Sequence, residues 1–381
     1  MARRAGLVGK PSVGKSTLFN AATMSGREEA DYPFTTTESS VGRAFVRVED
    51  PGPDLGVESQ PNTGFVEDGI RFVPVDLVDI PGLVPGAHQG RGMGNQFLSD
   101  LNRASALIHV VDLSGTTDAE GNPADDHDPG EDIEFLEREI NRWYLEVLER
   151  GLSDFDPRDD SALVDAVTSR MRALGVSEPQ VQRALDAGKP SELSDAERLS
   201  AATELRRASK PMLVAANKVD LDGAVDNLEE LDVEAVPCSA KAEHELRKAA
   251  ESGKVSYLPG DSSFDIAASL SAHQRSGLEE ITDLMEEFGG TGVQEVLDRA
   301  YLDLLGLVPV FPVRDGLEDG DGRTLPDCFL MPPESTVEDL AEQVHSDVAE
   351  SMLHGVDCRT GRRLAVDAEL DAGDVVRIVT A

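Results

Sequence analysis

The sequence predicts an α/β fold with a mainly parallel sheet and helices on both faces, followed by a smaller module of short strands. A short apolar strand, 5–8, leads directly into a glycine-rich loop and a helical segment, 16–24. Two further buried-strand patterns, 211–216 and 233–238, each end in a polar turn. Strands that alternate with helical segments are typical of parallel sheets. The residues after 307 instead alternate short strands with turns, which indicates a separate β-rich module.

The glycine-rich loop reads G-x-x-x-x-G-K-S and predicts a nucleoside-triphosphate site. Gly9 and Gly14 let the backbone N–H groups point at phosphate oxygens, Lys15 reaches the β- and γ-phosphates, and the Ser16 hydroxyl binds Mg²⁺. The alternative, a glycine-rich turn before a helix, is disfavoured by the order strand, loop, helix. We predict phosphate contacts from Gly9, Lys10, Pro11, Ser12, Val13, Gly14, Lys15, Ser16 and Thr17.

The strand at 211–216 ends in Asn217-Lys218-Val219-Asp220, an N-K-x-D sequence that predicts a guanine reader. The Asp220 carboxylate can accept two hydrogen bonds from the N1 and N2 edge of guanine, which adenine does not offer. Asn217 would brace the loop, and the stem of Lys218 would lie over the base. Alone, these residue types also occur as turn formers. The next strand, however, leads into Ser239-Ala240-Lys241, a loop whose backbone would meet the guanine carbonyl.

A third set of residues predicts contacts to the γ-phosphate and the metal. A strand pattern over 70–80 delivers Asp79-Ile80-Pro81-Gly82, where Asp79 would hold Mg²⁺ through water and the Gly82 N–H would bond the γ-phosphate. In the threonine-rich segment 32–37 the spacing favours Thr36 as a further metal ligand. Several glycines between 82 and 94 predict a segment that orders around the γ-phosphate.

Together these motifs resemble the Obg family of translation-factor-related GTPases, specifically its YchF-like branch. The segments that carry the resemblance are GKPSVGKSTLFNA, ADYPFTTTE, DIPGLVPGAHQGRGMGNQFLSDLNRAS and NKVD. The resemblance implies a P-loop GTPase fold with a helical insertion, Mg²⁺-dependent hydrolysis of GTP to GDP, and association with ribosomes. YchF proper has an altered base-reading motif and prefers ATP, whereas Asn217, Lys218 and Asp220 are intact here. Potassium stays open as a cofactor, since Ser12 stands where the family often has asparagine.

The catalytic assignment rests partly on the resemblance. Leu83 follows Gly82, where many GTPases carry a glutamine that orients the attacking water, and a leucine cannot orient water. His88 matches a histidine proposed to act in YchF-like proteins; a solvated histidine without a role is the equal alternative. We therefore assign catalysis to Lys15, Gly82 and His88 and expect slow intrinsic turnover that a partner or a loop rearrangement accelerates.

The composition predicts the environment. The chain of 381 residues has 73 acidic against 35 basic side chains and a net charge of −38, which is typical of a halophile's cytoplasmic protein. At molar salt the Debye length is about 3 Å, so the self-repulsion is screened. No DNA partner is expected. The apolar run 104–113 is far shorter than the roughly 20 residues of a membrane span. The three cysteines lack metal spacing and are expected to be reduced thiols, which favours a cytoplasmic location.

The chain divides into three predicted parts. Residues 1–117 and 210–305 form the nucleotide-binding domain, with a helical pattern from Ala242 to Leu305, and 118–209 form the helical insertion. Within the insertion, apolar residues from Ile133 to Leu148 recur at helical spacing, and the charged residues are interpreted as a solvated face.

The third part, 306–381, begins with a hairpin of 308–313 and 328–331. Ser335 to Glu338 is predicted as a capping box that starts a helix, and the chain ends in a strand near 375–379. This order resembles a TGS domain, a ubiquitin-like β-grasp module. The resemblance implies that this module and the helical regions contact the ribosome or rRNA. Its arginines, Arg359, Arg362 and Arg363, are interpreted as a solvated turn.

Three functions remain open from the sequence. The first is a Mg²⁺-dependent GTPase that acts as a molecular switch linked to translation. The second is a ribosome- or RNA-docking scaffold that holds a nucleotide and hydrolyses it negligibly. The third is an ATPase like YchF proper. The contacts of Asp79 and Gly82 to the γ-phosphate and metal favour the first, and Leu83 favours the second.

Overall fold

The structure is a computed structural model that describes residues 3–23, 41–82, 100–153, 160–185, 193–319 and 321–381. Its described residues form two compact units. The first holds 3–23, 41–42 and the described parts of 76–296, and the second holds 43–75 and 297–381. The boundary between the units thus falls inside one strand, at residues 75 and 76.

The first unit is built on a parallel sheet. Its strands are β1 (Ala5–Val8), the end of β4 (Ile70–Asp79), β5 (Ala106–Asp112), β6 (Met212–Asn217) and β7 (Ala235–Cys238), in the order β4-β1-β5-β6-β7. All four pairings are parallel. β5 is buried along its whole length, as the sequence of a strand covered on both faces requires. This confirms the predicted α/β class with a mainly parallel sheet and helices on both faces.

The register of these strands brings their carboxyl ends to one edge of the sheet. Leu7 pairs with Asp79, Val8 with His109, and Asn217 with both Asp112 and Cys238. The loops that follow the five strands therefore start side by side. In open α/β sheets this edge is where ligands bind.

Within the predicted insertion, 118–209, the described residues form the helices α3 (Pro129–Ser153), α4 (Asp160–Met171), α5 (Glu178–Leu185) and α6 (Asp195–Ser209). Its core is made by buried apolar residues of these helices: Ile140, Tyr144, Leu148, Val167 and Leu205. The interpretation of its charges as a solvated face is wrong for Arg206, which is buried and donates to Asn141 Oδ1 (3.0 Å) and Glu137 Oε1 (2.9 Å).

The predicted helical stretch 242–305 consists of several helices with non-helical segments between them. α8 (Ala240–Glu251), α9 (Ala272–Phe288) and α10 (Val293–Asp298) are separated by loops and by a small antiparallel pair, β8 (Val255–Ser256) with β9 (Asp265–Ile266). The interruption has a local cause, because Gly253 and Gly289, which follow α8 and α9, adopt positive φ values of 66° and 76° that favour the end of a helix.

The second unit contains a five-stranded sheet of β10 (Val308–Val313), β11 (Phe329–Met331), β12 (Met352–Asp357), β13 (Arg363–Leu364) and β14 (Val375–Thr380). The strand order is β11-β10-β14-β12-β13, and β10 runs parallel to β14. Helix α11 (Val337–Val344) packs its apolar face on this sheet. The arrangement confirms the predicted β-grasp module and its first hairpin. β12, β13 and the short helix α12 (Ser346–Ser351) were not predicted.

The capping box of α11 lies one residue later than predicted. Thr336, not Ser335, is the N-cap: its hydroxyl accepts the Asp339 N–H (3.3 Å), and the Asp339 side chain accepts the Thr336 N–H (2.7 Å). Ser335 is buried, and its carbonyl accepts the Leu370 N–H (2.9 Å). A tertiary contact that the sequence does not show thus decides which of two adjacent hydroxyls caps the helix.

Residues 43–75 pack with the C-terminal residues of the second unit. They contain most of β2 (Val41–Glu49), α2 (Gly52–Leu55), β3 (Phe65–Glu67) and the start of β4. Arg71 Nε donates to Asp50 Oδ2 (2.8 Å), Arg71 Nη2 donates to the Leu325 carbonyl (2.6 Å), and the guanidinium lies 5.2 Å from the Phe311 ring centroid. The three-part domain division made from the sequence remains a prediction.

Among the described residues, no helix is both long enough and apolar enough to cross a membrane.

Candidate functional site

The glycine-rich loop lies between β1 and α1 (Lys15–Thr23). Gly14 has a φ of +90°, and a Cβ there would collide with Nδ2 of Asn217. Glycine is therefore required at this position both by the backbone and by the neighbouring loop. Ser16 is exposed and Thr17 half-buried in the first turn of α1, where the free backbone N–H groups favour an anion.

Lys15 and Asp79, both predicted site residues, form an ion pair at the carboxyl edge of the sheet. Gly82 lies close to the loop, since a Cβ at this position would come within 3.3 Å of the Gly9 carbonyl. The Ser16 hydroxyl and the Asp79 carboxylate are hard oxygen donors of the type that Mg²⁺ prefers, so the donor set fits the predicted metal. The predicted Thr36 and His88, as well as Leu83, lie outside the described residues.

The side chain of Lys10 takes a different direction from the one that a phosphate contact would need. Its ammonium is buried, donates to the Thr117 carbonyl (2.7 Å) and lies 2.7 Å from Asp132 Oδ2, in the first turn of α3. His127 Nε2 is 3.0 Å from the other oxygen of Asp132. The predicted phosphate contact of Lys10 would therefore have to come from its backbone N–H.

The loop after β5 lies against the glycine-rich loop of residues 9–16, which is called the phosphate loop from here on. A Cβ at Gly121 would lie 2.7 Å from the Pro11 carbonyl, and Gly121 has a φ of +84°. The sequence did not single out Gly121, Thr117 or Asp132. Their signal was absent because each acts through a contact more than one hundred residues away in the chain.

Asn217 is the first residue of the base-reading loop, 217–220, and it connects this loop to the phosphate loop and to the 239–241 loop. Its Nδ2 donates to the Val13 carbonyl (2.7 Å), and its Oδ1 accepts the Ala240 N–H (3.0 Å). One buried carboxamide thus joins the glycine-rich loop, the end of β6 and the 239–241 loop. An unmade hydrogen bond at a buried group costs about 1–3 kcal/mol, so the three loops are held in register.

Lys218 adopts a φ of +67° and its Nζ lies 2.8 Å from Asp112 Oδ2, at the end of β5. Asp112 is fully buried and also accepts from the hydroxyls of Ser114 (2.6 Å) and Thr117 (2.7 Å). Burial acts to raise the pKa of Asp112, but the hydrogen bonds from Lys218, Ser114 and Thr117 outweigh it and hold the pKa below its usual value. The Lys218 stem is thereby fixed beside the base-reading loop. Asp112 was not predicted as a site residue.

The remaining base-loop residues lie at the same edge. Asp220 and Lys241 are exposed, whereas Ser239 and Ala240 are buried. Ser239 caps α8 by accepting the Ala242 N–H (3.1 Å), and its own N–H donates to the Thr291 carbonyl (2.9 Å). The exposed carboxylate of Asp220 is accessible to a ligand. The backbone of the 239–241 loop is fixed by the hydrogen bonds of Ser239 to Ala242 and Thr291.

The structure therefore brings the predicted phosphate and base residues to one edge of one sheet. Backbone N–H groups at a helix N-terminus, one ammonium and one carboxylate lie at the phosphate side. An exposed carboxylate and a braced backbone loop lie at the base side. This combination can bind a phosphorylated nucleoside whose base offers paired hydrogen-bond donors.

Three family models match the chain. Residues 4–148 match a model described as 50S ribosome-binding GTPase, and residues 215–315 match the G4 motif-containing domain of the Obg-like GTPase YGR210-like family. Residues 317–380 match the TGS domain.

Relatives extend the similarity to the whole chain. An uncharacterized GTP-binding protein, MJ1332, of Methanocaldococcus jannaschii is 40% identical over 387 residues, which cover 99% of this chain and 98% of that protein. The crystal structure of a GTP-binding protein from Pyrococcus horikoshii is similar with a TM-score of 0.77 and 38% identity, covering 99% of this chain and 100% of that one. The ribosome-binding ATPase YchF of Haemophilus ducreyi is 38% identical over 168 residues, 44% of each chain.

Proposed function

The chain belongs to the Obg-like P-loop GTPases, in the branch of YGR210-like and YchF-like proteins, and from this membership we propose that it binds GTP and hydrolyses it to GDP and phosphate. The observation that carries the proposal is the carboxamide of Asn217, which bonds the phosphate loop at Val13 and the base loop at Ala240. A triphosphate site and a guanine site are thereby fixed at a defined separation. Neither motif alone would specify GTP.

Binding follows from the residues at this edge. The backbone N–H groups of residues 9–17 bind the phosphates, and Lys15 exchanges its partner Asp79 for the β- and γ-phosphates. The Gly82 N–H bonds the γ-phosphate. Bound Mg²⁺ supplies neutralisation of the phosphate charge, and Ser16 and, through water, Asp79 are the residues that would hold it, with Thr36 as a third candidate.

The guanine base is read at the other end. The Asp220 carboxylate accepts the N1 and N2 hydrogens, and a backbone N–H of the 239–241 loop donates to the O6 carbonyl. The stem of Lys218, held by Asp112, lies along the base. Adenine has neither the paired donors nor the carbonyl, so this site favours GTP over ATP.

Turnover is proposed to be slow. Leu83 cannot orient the attacking water, and His88 is the nearest candidate for that role. A partner or a rearrangement of the loop after Gly82 would complete the site, and potassium stays an optional cofactor. If His88→Ala leaves both intrinsic and partner-stimulated turnover unchanged, the role assigned to His88 is lost.

The partner we propose is the ribosome or its RNA. The support is the description of the matching family model as a 50S ribosome-binding GTPase, the ribosome-binding YchF relatives and the TGS match. As a switch, the protein would bind this partner with different affinity in its GTP and GDP forms. Co-sedimentation with ribosomes in the presence of GDP and of a non-hydrolysable GTP analogue tests this. Equal co-sedimentation would favour the docking scaffold instead.

The first experiment compares phosphate release from GTP and from ATP, with Mg²⁺ in molar KCl, for the wild type, Asp220→Ala and Asp226→Ala. Asp226 is an exposed aspartate in α7 (Ala224–Glu230) and serves as the matched control. We expect the wild type and Asp226→Ala to prefer GTP, and Asp220→Ala to lose about 10- to 100-fold of that preference. A preference for ATP that Asp220→Ala leaves unchanged would instead support an ATPase like YchF.

A further inference from the structure

A buried carboxylate, Glu243, lies in the first turn of α8, close in sequence to the 239–241 loop. Glu243 is completely buried and accepts three hydrogen bonds: from Arg247 Nε (2.7 Å), from the Tyr257 hydroxyl (2.7 Å) and from the Thr291 hydroxyl (2.6 Å). Burial and the neighbouring charge of Glu243 raise the pKa of Tyr257, which keeps its phenol protonated as a donor. Arg247 pairs with the charge of this buried carboxylate, and the two hydroxyls satisfy its other oxygen, so Glu243 is held in a defined position.

One of these three partners, Thr291, also contacts the 239–241 loop. Thr291 is buried, and while its hydroxyl is held by Glu243, its carbonyl accepts the Ser239 N–H (2.9 Å). The next residue, Ala240, donates its N–H to Asn217 (3.0 Å). The hydrogen bonds therefore run without a break from Glu243 through Thr291 and the 239–241 loop to Asn217 and the phosphate loop.

The backbone around Thr291 leaves no room for another arrangement. Gly292 has a φ of +77°, and a Cβ there would collide with the Pro237 carbonyl at the end of β7. The turn at 290–292 thus packs closely against β7, the strand that leads into the 239–241 loop. Two hydrogen bonds hold the turn there: from the Thr291 hydroxyl to Glu243, and from the Ser239 N–H to the Thr291 carbonyl.

We propose that Thr291, held by Glu243, is a specificity-determining positioning residue that aims the 239–241 backbone at the O6 carbonyl of guanine. This inference rests on the proposed guanine-nucleotide function and goes beyond it. Thr291 and Glu243 touch no base themselves; they set the place of the N–H group that does. A misplacement of a small fraction of an ångström weakens a hydrogen bond whose geometry is otherwise good.

The proposal predicts which bases are affected. GDP and IDP both carry the O6 carbonyl, and IDP lacks only the N2 amino group. ADP carries an amino group at the same place. Loss of the positioning contact should therefore weaken GDP and IDP by the same factor and leave ADP unchanged. Loss of Asp220 should weaken GDP more than IDP, because Asp220 reads N2.

The test measures the affinity of the full-length protein for MgGDP, MgIDP and MgADP by titration calorimetry in molar KCl. Thr291→Val removes the hydroxyl at nearly constant volume, and Thr291→Ser retains it. Tyr257→Phe is the matched control, since it removes a different hydrogen bond to the same oxygen of Glu243 without touching the base loop. We expect Thr291→Val to weaken GDP and IDP by about 3- to 10-fold, with Tyr257→Phe and Thr291→Ser close to the wild type.

The inference is overturned by either of two results. If Thr291→Val lowers the affinities for GDP, IDP and ADP alike, or if Tyr257→Phe has the same effect as Thr291→Val, the role is merely structural and the inference is wrong. If the wild type does not prefer GDP to ADP, the proposed function fails rather than this inference. Should Thr291→Val not fold, Thr291→Ala replaces it, because it removes the same hydroxyl, with the same signature expected; equal losses on all three nucleotides would overturn the inference there too.

Discussion

Strand β4 carries an ion pair at each end, and the two pairs differ in burial rather than in chemistry. At its start Arg71 pairs with Asp50, and both side chains are 1% exposed. At its end Asp79 pairs with Lys15, and these side chains are 28% and 12% exposed. Both are a single carboxylate with a single cation. We infer that burial separates a pair that fixes the fold from a pair that can offer its charges to a ligand.

The buried pair has additional partners. Asp50 also accepts from the Gly52 N–H (2.9 Å) and the Ser59 hydroxyl (2.5 Å), and Arg71 also donates to the Leu325 carbonyl. Of the buried polar atoms of this pair, Arg71 Nη1 has no hydrogen-bond partner among the described residues, but the charges of the pair are already matched and shielded from a ligand. The pair at the other end faces the phosphate loop, where a triphosphate can compete with Asp79 for the ammonium of Lys15.

The largest effect is expected from breaking the buried pair. Asp50→Asn leaves the Arg71 charge buried without a counter-ion, which costs about 3–5 kcal/mol. Hydrogen exchange in peptides from 43–75 and 308–331 would report the loss as faster exchange. Asp54→Asn, in the same segment but exposed, is the control and should change little. Similar exchange in the two variants would show that burial does not distinguish them.

A smaller effect on stability, but a large effect on binding, is expected at the exposed end. Lys15→Ala removes a charge-assisted contact to phosphate and should weaken GDP binding by about 10- to 100-fold. The free energy of unfolding should change by less than about 1 kcal/mol. Lys248→Ala, an exposed lysine of α8, controls for the loss of one positive charge. A loss of stability as large as that of Asp50→Asn would contradict the comparison.

The smallest effect is expected between the two ends. Arg4 Nη2 lies 3.2 Å from Asp76 Oδ2, and the side chains are 25% and 16% exposed. Arg4→Gln should lower the free energy of unfolding by about 1 kcal/mol or less in dilute salt, and by still less in molar KCl, where the charges are screened. Denaturant unfolding followed by circular dichroism at both salt concentrations measures this. A loss that grows with salt would argue against a screened pair.

The sequence indicated the residues of the candidate site, whose roles stay predictions, but not the contacts that hold them. Asp79, Asn217 and the glycine-rich loop could be found because each follows a strand in a spaced motif. Arg71, Asp112 and Glu243 could not, because a buried ionic or polar contact between distant segments leaves no local pattern. Lys10 shows the limit within a motif, since its side chain is taken by Asp132 in another helix.

The same limit applies to the fold. Regular elements with clear periodicity, such as the strands β1, β6 and β10, were predicted correctly. The capping box at Ser335 was displaced to Thr336 because the pairing of Ser335 with Leu370 depends on the assembled sheet. The helical stretch predicted over 242–305 did not include its interruptions, because turn glycines were given too little weight against helical spacing.

The contact of Lys10 with Asp132 fixes one end of the long helix α3, so that a small change of angle at this end would displace the other end much further. The helix has 25 residues and is therefore about 37 Å long, and its first turn is tied to the phosphate loop. A tilt of about 5° at that anchored end would carry the far end by about 3 Å. Trp143, the chain's one tryptophan, lies midway along this helix, with its ring edge against Tyr144 and its side chain packed against the apolar core of the insertion. Its fluorescence is therefore expected to respond to a repacking of α3 against that core.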